Sequence, residues 1–361
     1  MRLESVQGLK RQLLHAIVDP IARRGTSVRR MGARALEVSL RVPGLGLDPS
    51  LSGIGAKPVE TLPEVQRSLA LGVAPHGKEF RLAIRLQRVA LRDSPIVDHL
   101  KSEAKGEVDI RMVGRIDKRA KKRQSTVPWY RTNTRPLLMG ASVGHVDVTA
   151  GTLGAFVSRN GTVCILSNNH VLANEDAGSA GDMILQRAKF DGGKRPADGV
   201  ARLLHWIRLK RRGSNSVDVA LAALNKGQEH DAQSLRELVG GTNRTLKGLG
   251  PSFIDEGETV YKVGRTTGAT KGRVTAFDLD NVVVNYDVGN LRFDGQIEIE
   301  GAGTKSFSDG GDSGSLIINS RMQAVALLFA GSDTGARNGA GLTYANPIQP
   351  VLKELKAKLL F

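Results

Sequence analysis

Six residues, Gly310-Gly311-Asp312-Ser313-Gly314-Ser315, constrain this chain more than any other stretch. Glycines on both sides of a serine allow positive φ, which a β-carbon disfavours. The apolar run Leu316-Ile317-Ile318 that follows reads as a buried strand. The chain must turn tightly at the mouth of a strand and present Ser313 there. In such a turn successive N–H groups can converge on one point and bind a developing oxyanion. The same residue types also build ordinary hairpin loops, so the stretch acquires chemical meaning only with partners elsewhere.

A serine hydroxyl is a weak nucleophile until a base takes its proton. Among seven histidines, His170 stands out, because the β-rich segment Val163-Cys164-Ile165-Leu166-Ser167 runs into Asn168-Asn169-His170. That pattern reads as a strand delivering a polar residue to its end; a strand-end histidine satisfied by a carbonyl would look the same. A carboxylate is needed to fix the imidazole tautomer and stabilise the imidazolium. Asp218 begins the apolar run Val219-Ala220-Leu221-Ala222-Ala223-Leu224. An acid in such a run is costly to bury alone, and either a turn cap or His170 would supply its partner.

Taken in order, Asn168-Asn169-His170, Asp218-Val219-Ala220-Leu221 and Gly311-Asp312-Ser313-Gly314 resemble the motifs of the chymotrypsin-fold (trypsin-like) serine proteases. The chain order His, Asp, Ser is that family's and differs from the subtilisin and α/β-hydrolase orders. A narrower resemblance, carried by His145 to Ala173, by Val260-Tyr261-Lys262-Val263-Gly264-Arg265-Thr266-Thr267-Gly268 and by the serine loop, is to bacterial and plant trypsin-like peptidases of the narrow-leaf type. The resemblance implies a mainly β protein, a chymotrypsin-like double β-barrel with a C-terminal helix. The barrels are expected at about 148–225 and 258–346 within a protease domain at 138–361, and the helix at 347–360. A possible further helix is read at Ala232–Val239, between the barrels.

Ahead of that domain the sequence suggests residues 1–56 as short helices with a Gly/Pro connector at Val42–Gly46 and residues 57–120 as a small basic α/β domain. A basic linker, 121–137, would act as a flexible tether. Within the α/β unit, strands are expected at Leu69–Val73, Glu79–Leu86 and Val108–Ile116, with a helix at Ser94–Ala104. The charge is uneven: 27 basic and 13 acidic residues lie at or before Pro136, leaving 25 and 23 for the remainder. The N-terminal region thus carries nearly all of the +16 net charge, as a surface for an acidic partner or nucleic acid would, or as a solvated basic surface would.

Cys164 is the only cysteine, so no intrachain disulfide forms. That favours a reducing, cytoplasmic location. The N-terminus lacks the pattern of a secretory signal, and no apolar run is long enough for a transmembrane helix. Cys/His spacing suits no zinc site, and the proposed chemistry needs no cofactor.

The resemblance assigns His170 as general base, Asp218 as its orienting carboxylate, Ser313 as nucleophile, and the N–H groups of Gly311 and Ser313 as the oxyanion hole. It implies a protein substrate, with a possible homo-oligomer. It places a specificity pocket at Phe307, Ser308, Phe329, Ala330 and Gly331, with Phe307 at its base. An acid is absent there, so a small or apolar P1 residue is expected instead of Lys or Arg. Two departures bear on activation and geometry. Secreted relatives pair the aspartate before the nucleophile with a new N-terminal amine; here Asp312 must find another partner, and if it is buried unpaired the resting site would be collapsed. Phe329 stands where the family has a pocket-wall serine, leaving Asp218 one hydrogen bond short. The alternatives to a regulated endopeptidase are a protease-fold scaffold and a nucleic-acid-associated effector using the basic N-terminal half.

Overall fold

In the computed structural model, residues 1–18, 67–117, 127–252 and 257–361 are described. The chain is mainly β and forms a chymotrypsin-like double β-barrel. Six strands of the second barrel close on themselves: Thr259–Gly264, Gly268–Asp280, Gln296–Gly301, Gly341–Pro347, Ala324–Gly335 and Leu316–Asn319, which returns to the first through Val260 opposite Asn319. The other barrel is a half-barrel of Ser142–His145, Met183–Leu185, Gly199–Trp206, Ala220–Leu224, Thr162–Ser167 and Ala155–Arg159. Its core is aliphatic, with Leu153, Ile165, Leu166, Val200 and Leu221 all buried.

The helix Ile348–Leu355 crosses back over the half-barrel with Ile348, Val351, Leu352 and Leu355 buried. It ends at Lys356, which adopts a left-handed backbone. Leu359, expected on the same helix, instead belongs to the short strand Lys358–Leu359, which pairs with Ala155–Arg159.

The helix expected at Ala232–Val239 is a strand, Ser234–Val239, in a hairpin with Thr242–Thr245. Leu235 and Leu238 stand three residues apart, a spacing that a helix also produces. A register shift with Glu237 at φ +55 rotates the strand, so that both leucines face the core. Four residue steps on this strand, Leu235 to Val239, are spanned by two on its partner, Arg244 to Thr242, and this irregularity lets residues three apart share a face.

Near the N-terminus, the helix Leu3–Leu13 continues as a π-turn, Leu14–Val18; Val42–Gly46 lies outside the described residues. The strands Leu69–His76 and Glu79–Leu86 form a hairpin. The helix Pro95–Glu103, capped by Ser94, leads to Val108–Met112, parallel to Glu79–Leu86. This sheet is continuous with the second barrel. Strand Gly268–Asp280 follows Gln296–Gly301 along one edge through two register shifts, while along the other edge its first half pairs with Thr259–Gly264 and its second with Leu69–His76, Leu71 opposite Asp280.

The junction is both ionic and apolar. Arg85 Nε and Nη2 donate to the Glu298 carboxylate at 2.7 and 2.9 Å, and Arg85 Nη1 donates to Asp109 Oδ1 at 2.7 Å. Arg85 and Glu298 are both buried. Lys10 reaches Asp278 and Asp280, each at 2.8 Å. Some of the N-terminal region's basic charge is therefore neutralised internally. Of the expected tether, residues 121–126 lie outside the described residues, while 127–136 are fastened on both sides: Thr134 N–H donates to Gln186 Oε1 beside the half-barrel strand Met183–Leu185, and the preceding residues reach the second barrel and the hairpin between the barrels. Arg131 is buried and donates to the carbonyls of Arg265 and Thr266, and Trp129 Nε1 donates to Glu237.

Removing one member of a buried ion pair strands the other. Arg85→Ala should therefore cost about 3–5 kcal/mol of stability, read as a lowered urea midpoint. A loss under about 1 kcal/mol, the worth of a surface pair, would contradict the role given to Arg85.

Candidate active site

Strand Thr162–Ser167 ends where Asn168 turns the backbone into the short helix Asn169–Leu172. That helix sets His170 above the start of Ala220–Leu224. The Asp218 carboxylate gathers four donors: Asn169 N–H at 2.7 Å and His170 N–H at 3.3 Å on Oδ1, and His170 Nδ1 at 2.5 Å and the Tyr286 hydroxyl at 2.6 Å on Oδ2. Its backbone is fixed as well, by Asn168 Nδ2 on its carbonyl and by its own N–H on Asn346 Oδ1. Full burial would raise this carboxyl's pKa, but the histidine, the tyrosine and the backbone donors outweigh that and hold it below the ordinary value. Burial and the adjacent Asp218 charge push the Tyr286 phenol well up, so it stays a donor. An ionised Asp218 requires the hydrogen on His170 Nδ1, which leaves Nε2 free to accept a proton.

Tyr286 was not found by sequence reading. It lies on Val282–Tyr286, which forms a hairpin with Gly289–Phe293. Its ring stands edge-on to His170 at 5.9 Å and stacks on Phe293, which packs on Phe329 at 4.8 Å. The expected shortfall at Asp218 is therefore corrected: Phe329 supplies no hydroxyl, and Tyr286 supplies one from a different strand.

Ser313 sits in a loop tied down on all sides. Gly314 N–H donates to Leu328 O at 2.8 Å, Leu328 N–H to Ser315 O at 3.0 Å, and Thr152 N–H to Ser313 O at 2.8 Å. Gly314 adopts φ +92, and a Cβ there would collide with Ser167 Oγ and Thr152 O. Only glycine lets the loop press against the end of the strand that delivers His170 three residues later. Gly311, at φ +93, similarly abuts the Thr266 hydroxyl.

The carbonyls in the loop face inward. Gly310 O accepts from Thr266 Oγ1, and Asp312 O accepts from Ser315 N–H and Oγ. In a trans peptide the N–H points opposite to the carbonyl, so the N–H groups of Gly311 and Ser313 face away from these anchors. Neither donates to an acceptor among the described residues, and Ser313 Oγ and His170 Nε2 likewise have no hydrogen-bond partner there.

Asp312 is buried and has found another partner in Lys262, so the condition set for a collapsed loop, a buried unpaired acid, is not met. Lys262 Nζ lies 3.2 Å from Oδ2, joined by Thr267 Oγ1 at 2.7 Å and by the N–H groups of Thr266, Thr267 and Asp309 at 2.7, 3.1 and 3.0 Å. Burial opposes the charge on Asp312, but Lys262 and these donors outweigh it and hold the carboxyl below its ordinary value. Burial also lowers Lys262, only partly offset by Asp312. Lys262 shares the inward face of Thr259–Gly264 with Val260. That period-two placement is the one sequence signal that could have marked it.

The five residues expected to form a specificity pocket are all buried. Phe307 packs in the core of the closed barrel, with Lys262 Nζ 5.8 Å from its ring centre. Ser308 Oγ meets Thr343 Oγ1 at 2.6 Å. Phe329 and Ala330 join a second cluster with Phe293 and Tyr344, and Gly331 follows on the same strand.

No family model matches the chain, and no curated protein matches it. Solved structures do match. Thermobifida fusca protease A is 17% identical over 62% of this chain and 97% of its own, with a TM-score of 0.44. For Cellulomonas bogoriensis chymotrypsin the values are 20%, 62%, 97% and 0.43, and for a Nocardiopsis protease 18%, 62%, 98% and 0.43.

Replacing Lys262 by Met leaves a buried carboxylate without its cation. Stability at pH 7 should fall by about 3–5 kcal/mol. Asp312 has a depressed folded pKa, so its contribution is present above the unfolded value of about 3.9 and is lost as pH falls through the folded one. Protonating Asp312 also removes the stranded charge in Lys262→Met. The gap between variant and parent in urea unfolding should therefore narrow from pH 7 toward pH 3.5, and a constant gap would contradict the pairing.

Proposed function

We propose that this chain is a serine endopeptidase. His170 Nε2 takes the proton from Ser313 Oγ as that oxygen attacks a peptide carbonyl. The oxyanion accepts from the N–H groups of Gly311 and Ser313. His170 then gives the proton to the leaving amine, and an acyl-enzyme ester remains on Ser313. Water, activated by the same base, releases the acid and restores the serine. Asp218 stays ionised throughout and stabilises the imidazolium. Each oxyanion donor of this kind is worth about 2.7–4 kcal/mol in the transition state.

The observation that carries the reading is the pair of N–H groups at Gly311 and Ser313 that engage no acceptor among the described residues, in the same loop as a serine hydroxyl that has no partner among them. A loop built only for packing would spend those donors internally. Cleavage after small or apolar residues, kinship with the narrow-leaf-type peptidases, a cytoplasmic location and docking of an acidic partner on the basic N-terminal region belong to the same proposal.

A fluorophosphonate probe should label the chain once, at Ser313, and not label Ser313→Ala. Newly formed protein N-termini in cells expressing the chain should vanish with Ser313→Ala; equal sets would refute peptidase activity. Tyr286→Phe removes one hydrogen bond to a charged group, worth about 1.5–3 kcal/mol. Because Tyr286 acts through Asp218, it should lower kcat about tenfold or more with little change in KM.

A further inference from the structure

Strand Ala324–Gly335 runs past the nucleophile loop, exchanging hydrogen bonds with Gly314 and Ser315 at Leu328. Farther on, at Gly331 and Ser332, the strand is buried and its edge is covered. Ile116 and Asp117 lie antiparallel to it, with Asp117 opposite Gly331 and Ile116 opposite Ser332. On its other side Asp117 pairs in parallel with Asn285, next to Tyr286. The segment Val113–Asp117 is thus inlaid between the strand beside Ser313 and the strand whose tyrosine holds Asp218.

This inlay is fixed by side chains as well as by main chain. Val113 and Ile116 are buried in one cluster with Val282, Val284, Phe293, Phe329, Ala330 and Leu342. Gly335 makes room for it, since a Cβ there would come within 3.1 Å of the Val113 backbone. The direction matters most. The antiparallel register carries the chain from Ser332 toward Gly331 as it passes from Ile116 to Asp117, which is toward Leu328 and the serine loop. An extended peptide adding to a sheet edge binds in this manner, main chain for affinity and alternate side chains in pockets for selectivity.

The protease reading puts an extended substrate along the Gly331–Ser332 edge, and resting on it we propose that Val113–Asp117 occupies that edge as a built-in competitor. The full-length chain then holds its own peptide-binding edge closed. A substrate must displace a segment tethered at the high local concentration of an intramolecular partner. The apolar cluster around Val113 and Ile116 would give incoming peptides a preference for aliphatic side chains at the corresponding positions.

The test reads binding, not catalysis, in a Ser313→Ala background. A fluorescein-labelled peptide Val-Gly-Arg-Ile-Asp, copied from residues 113–117, is titrated into the full chain and into the same chain with Ile116→Asp, followed by anisotropy. The charge at position 116 should expel the segment and tighten peptide binding at least tenfold, with unlabelled peptide competing. Ile116→Ala serves as a second variant should the aspartate disturb the fold, as judged by near-ultraviolet circular dichroism, with a smaller increase of the same sign. Equal affinity with and without the substitution would overturn the proposal. So would absence of binding to a folded variant whose amides at positions 116 and 117 exchange freely. Failure of the protease reading registers separately, as absent fluorophosphonate labelling of Ser313 in the parent chain.

Discussion

The buried contact between Asp312 and Lys262 is the interaction on which the serine loop depends. Five donors converge on one carboxylate, from Lys262, Thr266, both groups of Thr267 and Asp309. With Asp312 fixed, the Gly310 and Asp312 carbonyls turn toward Thr266 and Ser315, and the following N–H groups turn away from them. An anion drawn into the core anchors the loop without any chain terminus. The cation comes from a neighbouring barrel strand, so the loop's shape is set by folding of the second barrel itself.

That barrel also links the site to the rest of the chain. Strand Gly268–Asp280 closes the barrel with one half and carries the N-terminal hairpin with the other. Arg85 and Glu298 lock this junction. The hairpin Val282–Phe293 extends from the same barrel and brings Tyr286 onto Asp218 of the half-barrel. The His170–Asp218 pair therefore depends on both barrels, as does the seating of Gly314 against Ser167 and Thr152.

His170, Asp218 and Ser313 were legible in the sequence because each sits at the end of a strand-like run in a short, chemically specific motif. Tyr286 and Lys262 were not, because their roles arise from contacts 68 and 50 residues away along the chain. Tyr286 closes an ordinary apolar strand, Val282-Val283-Val284-Asn285-Tyr286, and nothing local marks its hydroxyl. The double barrel was legible only through the resemblance that those three motifs carry, since short apolar runs and glycine turns suggest a β-rich chain without fixing how its strands close. The strand at Ser234–Val239 was not legible, since an irregular register gave it the spacing of a helix. The continuity of Leu69–His76 with the second barrel also escaped, because sheet pairing between distant strands leaves no local trace in composition. The pairing of Ile116–Asp117 with Gly331–Ser332 was equally invisible, two residues being too few to set a pattern.

The central claim is that Ser313 is reactive in the intact chain because Asp312 and Lys262 hold its loop open to a developing oxyanion. Rapid mixing of the full-length, uncleaved protein with p-nitrophenyl acetate measures this directly. The account predicts a burst of one p-nitrophenolate per chain, absent in Ser313→Ala and strongly slowed in a folded Lys262→Met variant. A burst that survives Ser313→Ala, or one that appears only after the chain has been cleaved, would contradict it.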